Sequence, residues 1–118
     1  MEKLKELILI NNQIKEIPKV FLDKNKSKLT DSLKILILNS NPISIIPDTI
    51  INLKKLQTLG LASTDIKELP DKINGSNLKR LKQILVHDTN LVTPSLAIAL
   101  RGVEAIKEFF DKNAKDSN

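Results

Sequence analysis

At 118 residues, with 41% hydrophobic and 28% charged residues, the chain has the length and make-up of one domain with a core of modest size, spanning residues 1–118. It has no cysteine, which excludes a disulfide frame, a thiol nucleophile and a cysteine-based zinc site and leaves the redox compartment unread. A net charge of +5 raises nucleic acid as a partner, yet only Arg80 and Arg101 can make forked contacts, and the only aromatics, Phe21, Phe109 and Phe110, fall where apolar packing is expected. A lysine-rich chain without a stacking platform argues against a nucleic-acid binder.

The first ten residues, MEKLKELILI, lack the basic start, continuous apolar run and small-residue cleavage site of a signal peptide. No apolar stretch approaches membrane-spanning length. A soluble cytoplasmic protein is the default expectation, with secretion left open should a leader have been removed or export be non-classical. From Leu4 to Ile14 the chain then reads LKELILINNQI, and this phrase returns three times: LKILILNSNPI from Leu33, LQTLGLASTDI from Leu56 and LKQILVHDTNL from Leu81. The first leucines are separated by steps of 29, 23 and 25 residues. The longest step contains an insertion, which carries Lys24, Lys26 and Lys28.

Leucines at the first, fourth and sixth positions, with Ile84 and Val86 standing in for two of them in the last copy, and an isoleucine or leucine at the eleventh, point to one side of a short strand and the turn after it. One copy would leave them in water, whereas stacked copies bury them as a continuous ladder. The pattern therefore predicts an α/β leucine-rich repeat solenoid of about four repeats, starting near residues 4, 33, 56 and 81. Its strands should pair in parallel along the concave side, and short helices or turns should return over the convex side. Three returns open alike, at Ile17-Pro18, Ile46-Pro47 and Leu69-Pro70, and each is followed by an apolar residue, Phe21, Ile50 and Ile73. Proline suits such a start because its missing amide proton costs least there. The ninth position holds Asn12, Asn41, Thr64 and Thr89. An inward amide can satisfy backbone groups of neighbouring turns, while threonine offers one hydroxyl, so the last two rungs should be held less well.

The chain ends with an expected C-terminal cap over residues 93–113. Thr93 and Pro94 are placed to start a helix, Gly102 to break or bend it, and Val103, Ile106, Phe109 and Phe110 to cover the last rung. The opposite end has little shielding, since Leu4 and Leu7 follow Met1 with only Glu2, Lys3, Lys5 and Glu6 beside them. That first rung should be frayed, covered by the insertion from Leu22 to Leu29, or buried in a homodimer.

The pattern L-x-x-L-x-L-x-x-N-x-L-x-x-(I/L)-P resembles the Ras-suppressor and Ras-group-related class of leucine-rich repeat proteins, also found in ROCO proteins and small bacterial repeat proteins. The C-terminal stretch TNLVTPSLAIALRGVEAIKEFF is similar to the usual ending of that class at Asn90, Leu91, Pro94, Ile98, Gly102, Ala105, Ile106 and Phe109, with Leu91 standing where proline is usual. The resemblance implies a binding scaffold with a protein partner. In that family the partners belong to GTPase pathways or phosphatases, or are host receptors such as the cadherins bound by internalins.

For function, the strand residues between the ladder leucines should project outward. They form four rows: Glu6, Ile35, Thr58, Gln83; Ile8, Ile37, Gly60, Leu85; Ile10, Asn39, Ala62, His87; and Asn11, Ser40, Ser63, Asp88. Five large aliphatics among them, Ile8, Ile10, Ile35, Ile37 and Leu85, exceed what strand propensity requires. The expected protein-binding face is therefore Ile8, Ile10, Ile35, Ile37, Asn39, Thr58, Gly60, Leu85, His87 and Asp88, with Gly60 opening a notch between Ile37 and Leu85. Four strands at about 4.8 Å spacing offer roughly 250 to 350 Å², whereas a stable interface needs about 800 Å² per partner. Either the rims join in, or affinity is weak, or the molecule pairs with itself. Catalysis is not expected: His87, Asp88 and Ser63 suggest a triad, but neighbours in an extended segment diverge and no oxyanion-hole turn is evident. No cofactor is expected, nor a metal site from one histidine among scattered carboxylates.

Overall fold

In the computed structural model, which describes residues 4–116, each copy of the phrase supplies one strand. These are β1 (Glu6–Ile8), β2 (Ile35–Ile37), β3 (Thr58–Gly60) and β4 (Gln83–Leu85). They form a single parallel sheet in the order β1-β2-β3-β4. Glu6, Ile35, Thr58 and Gln83 lie abreast, as do Leu7, Leu36, Leu59 and Ile84, and then Ile8, Ile37, Gly60 and Leu85. This is the register the leucine spacing predicts, because a slip of one residue would turn every ladder leucine to the opposite face.

Pairing continues past the strands. The Leu9 and Asn11 amides donate to the Ile37 and Asn39 carbonyls at 2.8 and 3.0 Å, and the same two bonds recur from Leu38 and Ser40 to Gly60 and Ala62, and from Leu61 and Ser63 to Leu85 and His87. Each copy then bends sharply at its eighth position, where Asn11, Ser40, Ser63 and Asp88 have φ of 59, 61, 56 and 58°. Left-handed backbone crowds a Cβ, and short polar side chains tolerate it better than β-branched ones. The fourth of the expected outward rows is thus the corner that ends each strand.

Behind the sheet the ladder residues of copies two and three are almost fully enclosed: Leu33, Leu36, Leu38 and Ile43 are 1, 4, 3 and 0% exposed, and Leu56, Leu59, Leu61 and Ile66 are all 0%. The first copy differs, with Leu4 49% exposed and Leu7, Leu9 and Ile14 only half-buried. The 3-10 helices Lys19–Leu22 and Asp48–Asn52 follow Pro18 and Pro47, whereas the return after Pro70 consists of turns and bends. Ile50 and Ile73 are buried as expected. Phe21, at the same offset, stays half-buried while its neighbour Leu22 goes inside. The insertion adds the short helix α1 (Leu29–Ser32).

The ninth position divides as its chemistry dictates. Asn41 is buried, its amide nitrogen donates to the carbonyls of Leu9, Leu38 and Asn39 at 2.7, 2.9 and 3.3 Å, and its oxygen accepts from the Asn12 and Ile14 amides at 3.0 and 3.2 Å. Three of those five bonds reach back into the first copy. Thr64 and Thr89 each donate only to a carbonyl three residues earlier, of Leu61 and Val86, at 2.7 Å. Asn12 is exposed, with its amide on the Ile10 carbonyl at 3.2 Å.

At the C-terminal end, α2 (Leu96–Ala99) starts later than Thr93 and Pro94 suggest, because the helix-capping hydroxyl is that of Ser95, whose Oγ accepts from the Ile98 amide at 3.3 Å. Gly102, at φ 115°, then turns the chain into α3 (Val103–Asp116), which runs past the expected limit at residue 113. Val103, Ile106 and Phe110 face the core, and Phe109 meets Phe110 edge-on at 5.4 Å. Polar ties add to this packing: Lys107 Nζ donates to the Leu78 carbonyl at 2.8 Å, and the Asp111 carboxylate accepts from the Gly75 amide at 3.1 and 3.2 Å.

Candidate functional site

The side chains on the sheet face opposite the core come from alternate strand positions, so β1 to β4 carry them in rows about 4.8 Å apart. Ile8 and Ile10 are the most open of the five aliphatics expected on this face, at 54 and 50% exposed. Ile35, Ile37 and Leu85 are half-buried, as are Asn39 and Thr58. Neighbours on adjacent strands shield one another, which narrows the water-facing part expected of Ile35, Ile37 and Leu85. The apolar surface is therefore weighted toward β1.

Gly60 does not open the notch that its missing side chain suggests. It is buried, and a Cβ placed there would stand 2.8 Å from Asn39 Oδ1 and 2.9 and 3.0 Å from the Ile37 side chain. Ile37 and Asn39 lean across into the space. Asn39 Oδ1 also accepts from the Ala62 amide at 3.0 Å, so this residue ties copies two and three together while lying on the candidate face. Gly60 thus contributes by letting its neighbours close over it.

His87 and Asp88 stand exposed at the edge of the face and meet at 3.0 Å between Nδ1 and Oδ2. The expectation that they diverge fails because Asp88 occupies the left-handed corner and is not extended. Ser63 lies on the neighbouring copy and donates its backbone amide to the His87 carbonyl at 3.0 Å, but no side-chain bond joins Ser63 to His87 among the described residues. The three residues do not form a relay.

A second feature lies at the open end of the first copy, where Leu7, Leu9, Ile14, Phe21 and Leu29 line an apolar cavity of about 370 Å³. The insertion thus covers the first rung only in part. Residues 1–3, which belong to the expected N-terminal edge, lie outside the described residues. The leucine count of the first copy matches that of the others, so periodicity alone could not locate this cavity. The signal available was the incomplete shielding of Leu4 and Leu7.

Among the described residues, no helix is long and apolar enough to cross a membrane. Residues 32–53 match the family model described as Leucine Rich Repeat. This segment holds β2, Asn41, Pro47 and the second 3-10 helix, the copy in which ladder, amide and return are all complete. The match supports a leucine-rich repeat protein with an α/β repeat fold, and that motif suggests a protein–protein interaction module of a generally non-enzymatic kind.

Proposed function

We propose that this chain is a single-domain solenoid, closed at its C-terminal end by α3, that binds a partner protein through the concave face of its sheet. The observation that carries the reading is the set of five aliphatics, Ile8, Ile10, Ile35, Ile37 and Leu85, on the face turned away from the core, two of them at least half exposed. Apolar area on a solvated sheet face favours a partner that covers it. Asn39, Thr58, His87 and Asp88 border the patch and set its polar edge. By resemblance to internalins and small bacterial repeat proteins of the Ras-suppressor-like class, the first reading is a bacterial protein engaging a host protein such as a cadherin. The second is a regulatory scaffold for a small GTPase or a protein phosphatase.

The test is a pull-down of a cadherin ectodomain, a Ras-family GTPase and a protein phosphatase, with wild-type protein and Ile8→Asp and Ile37→Asp variants. Ile8→Asp should leave folding intact, because the side chain is already half in water, and should abolish capture. A variant that folds and captures as well as the wild type overturns the concave-face reading.

Self-association is favoured by a separate observation, the apolar cavity beside the half-open first rung. A homodimer through this edge would cover Leu4 and the outer side of β1 at once. Light scattering at high concentration should then give twice the chain mass. A single-chain mass removes the homodimer.

A further inference from the structure

Charge is distributed unequally between the two long edges of the sheet. At the edge where all four strands begin, the backbone places Lys5, Lys34, Gln57 and Lys82 in one row, linked by amide-to-carbonyl bonds of 2.8 Å from Lys34 to Lys5, 2.7 Å from Gln57 to Lys34 and 2.8 Å from Lys82 to Gln57. The turns that lead into β3 and β4 add Lys54 and Lys55, then Lys79 and Arg80, all exposed. The carboxylates nearby are Glu6 and Asp31, with Glu104, Glu108 and Asp111 of α3 sharing a cleft with Lys79, and none of them forms an ion pair with a rim cation among the described residues. At the opposite edge the signs are mixed: Glu16, Asp65, Glu68 and Asp88 accompany Lys15 and Lys67.

Lys5 and Lys34 stand on neighbouring strands with backbones about 4.8 Å apart, within the screening length of about 8 Å at physiological salt, and repel each other, while Gln57 separates Lys34 from Lys82. A solvated surface without a partner ordinarily interleaves signs. Repulsion between Lys5 and Lys34, with Lys82, Arg80 and the lysines of the entry turns close by, is the kind that carboxylates from outside would relieve.

We propose that this strand-entry rim is a docking strip for an acidic protein segment, one whose carboxylates run along the rim while its apolar side chains rest on the neighbouring isoleucines. The proposal rests on the concave-face reading and names the chemistry of its partner. A protein is favoured over nucleic acid because lysine provides all but one of these cations, no aromatic side chain lies on the rim or the face for bases to stack on, and the adjoining surface is aliphatic. The rim also enlarges the sheet face, which by itself is too small for a stable interface.

The test titrates decaglutamate into isotope-labelled protein and follows backbone amide shifts, with a thymidine decamer as the second probe. Two triple variants shift net charge equally: Lys34→Glu, Arg80→Glu, Lys82→Glu on the rim, and Lys24→Glu, Lys26→Glu, Lys28→Glu in the insertion. Decaglutamate should shift the rim amides, bind at least tenfold more weakly to the rim variant, and bind the insertion variant nearly as well as the wild type. Equal losses in both variants would mean that only net charge matters and would overturn the proposal, as would shifts that avoid the rim. A thymidine decamer that binds the rim more tightly than decaglutamate would overturn it in favour of a nucleic-acid strip. Decaglutamate carries no apolar side chain, so its titration reads the rim alone, whereas the pull-down with Ile8→Asp reads the concave face. A failed rim thus leaves the concave-face reading standing, and failed capture by Ile8-dependent contacts leaves the rim result interpretable.

Discussion

Asn41 carries more hydrogen bonds than any other side chain on the ladder, and its partners decide what its loss would do. Truncation would strip two amides and one carbonyl of the first copy of their partner in a partly buried place. Asn41→Ala should therefore lower stability by about 1 to 3 kcal/mol, and urea denaturation measures it. An unaffected midpoint would show that water replaces the amide. Thr64 stands at the same position one copy later, where the Leu38 carbonyl and the Asn41 and Ile43 amides lie at the matching offset. Thr64→Asn should leave stability unchanged or raise it by up to about 1 kcal/mol, and a clear loss in the same experiment would show that this pocket is too narrow. The roles of Asn41, Thr64 and Thr89 were legible in the sequence because amide and hydroxyl differ in how many bonds they can make. Asn12 was not, since its exposure depends on what stands before it and not on its residue type.

At the level of strands and helices, periodicity revealed most of what the backbone does. The leucine spacing fixed the strand register, and the three prolines marked the returns. What stayed hidden were contacts across the sheet face. Gly60 reads as an opening in a one-dimensional pattern, but the adjacent strand supplies side chains long enough to fill it. Gly60→Ala should push Asn39 Oδ1 and Ile37 aside, weaken the Asn39 bond to the Ala62 amide, and cost about 1 to 3 kcal/mol by overpacking. Thermal unfolding monitored by circular dichroism checks this, and a variant as stable as the wild type would mean that Ile37 swings out freely. The contact between His87 and Asp88 was hidden for a related reason. Only the left-handed corner at Asp88 brings the two side chains together; the short polar residues at every eighth position, Asn11, Ser40, Ser63 and Asp88, are the sequence signal for that corner, and strand alternation alone does not use it.

For the molecule as a whole, the two ends are finished differently. At the C-terminal end α3 seats Val103, Ile106 and Phe110 on the core, so truncation before Val103 should expose the fourth rung and cause aggregation. Size-exclusion chromatography of a protein ending at residue 102 tests this, and a soluble shortened chain that unfolds cooperatively would contradict it. Between copies one and two, side chains supply five cross-links: three from Asn41, one from Asn52 to the Leu22 carbonyl at 2.8 Å, and one from Ser32 to the Leu4 carbonyl at 2.7 Å. Between copies two and three the Asn39 link remains, and between three and four the ties among the described residues are backbone bonds and apolar contact. The two halves should therefore respond differently to temperature. Apolar contact weakens on cooling, whereas directional hydrogen bonds do not depend on that term. Amide exchange should show the fourth strand losing protection relative to the second as the sample is chilled, and the order reversing on warming. A ratio of protection that stays constant across temperature would mean that the stack opens as one unit. If the ratio shifts, cold is the condition that loosens the His87 end of the proposed binding face while the Ile37 strand stays formed.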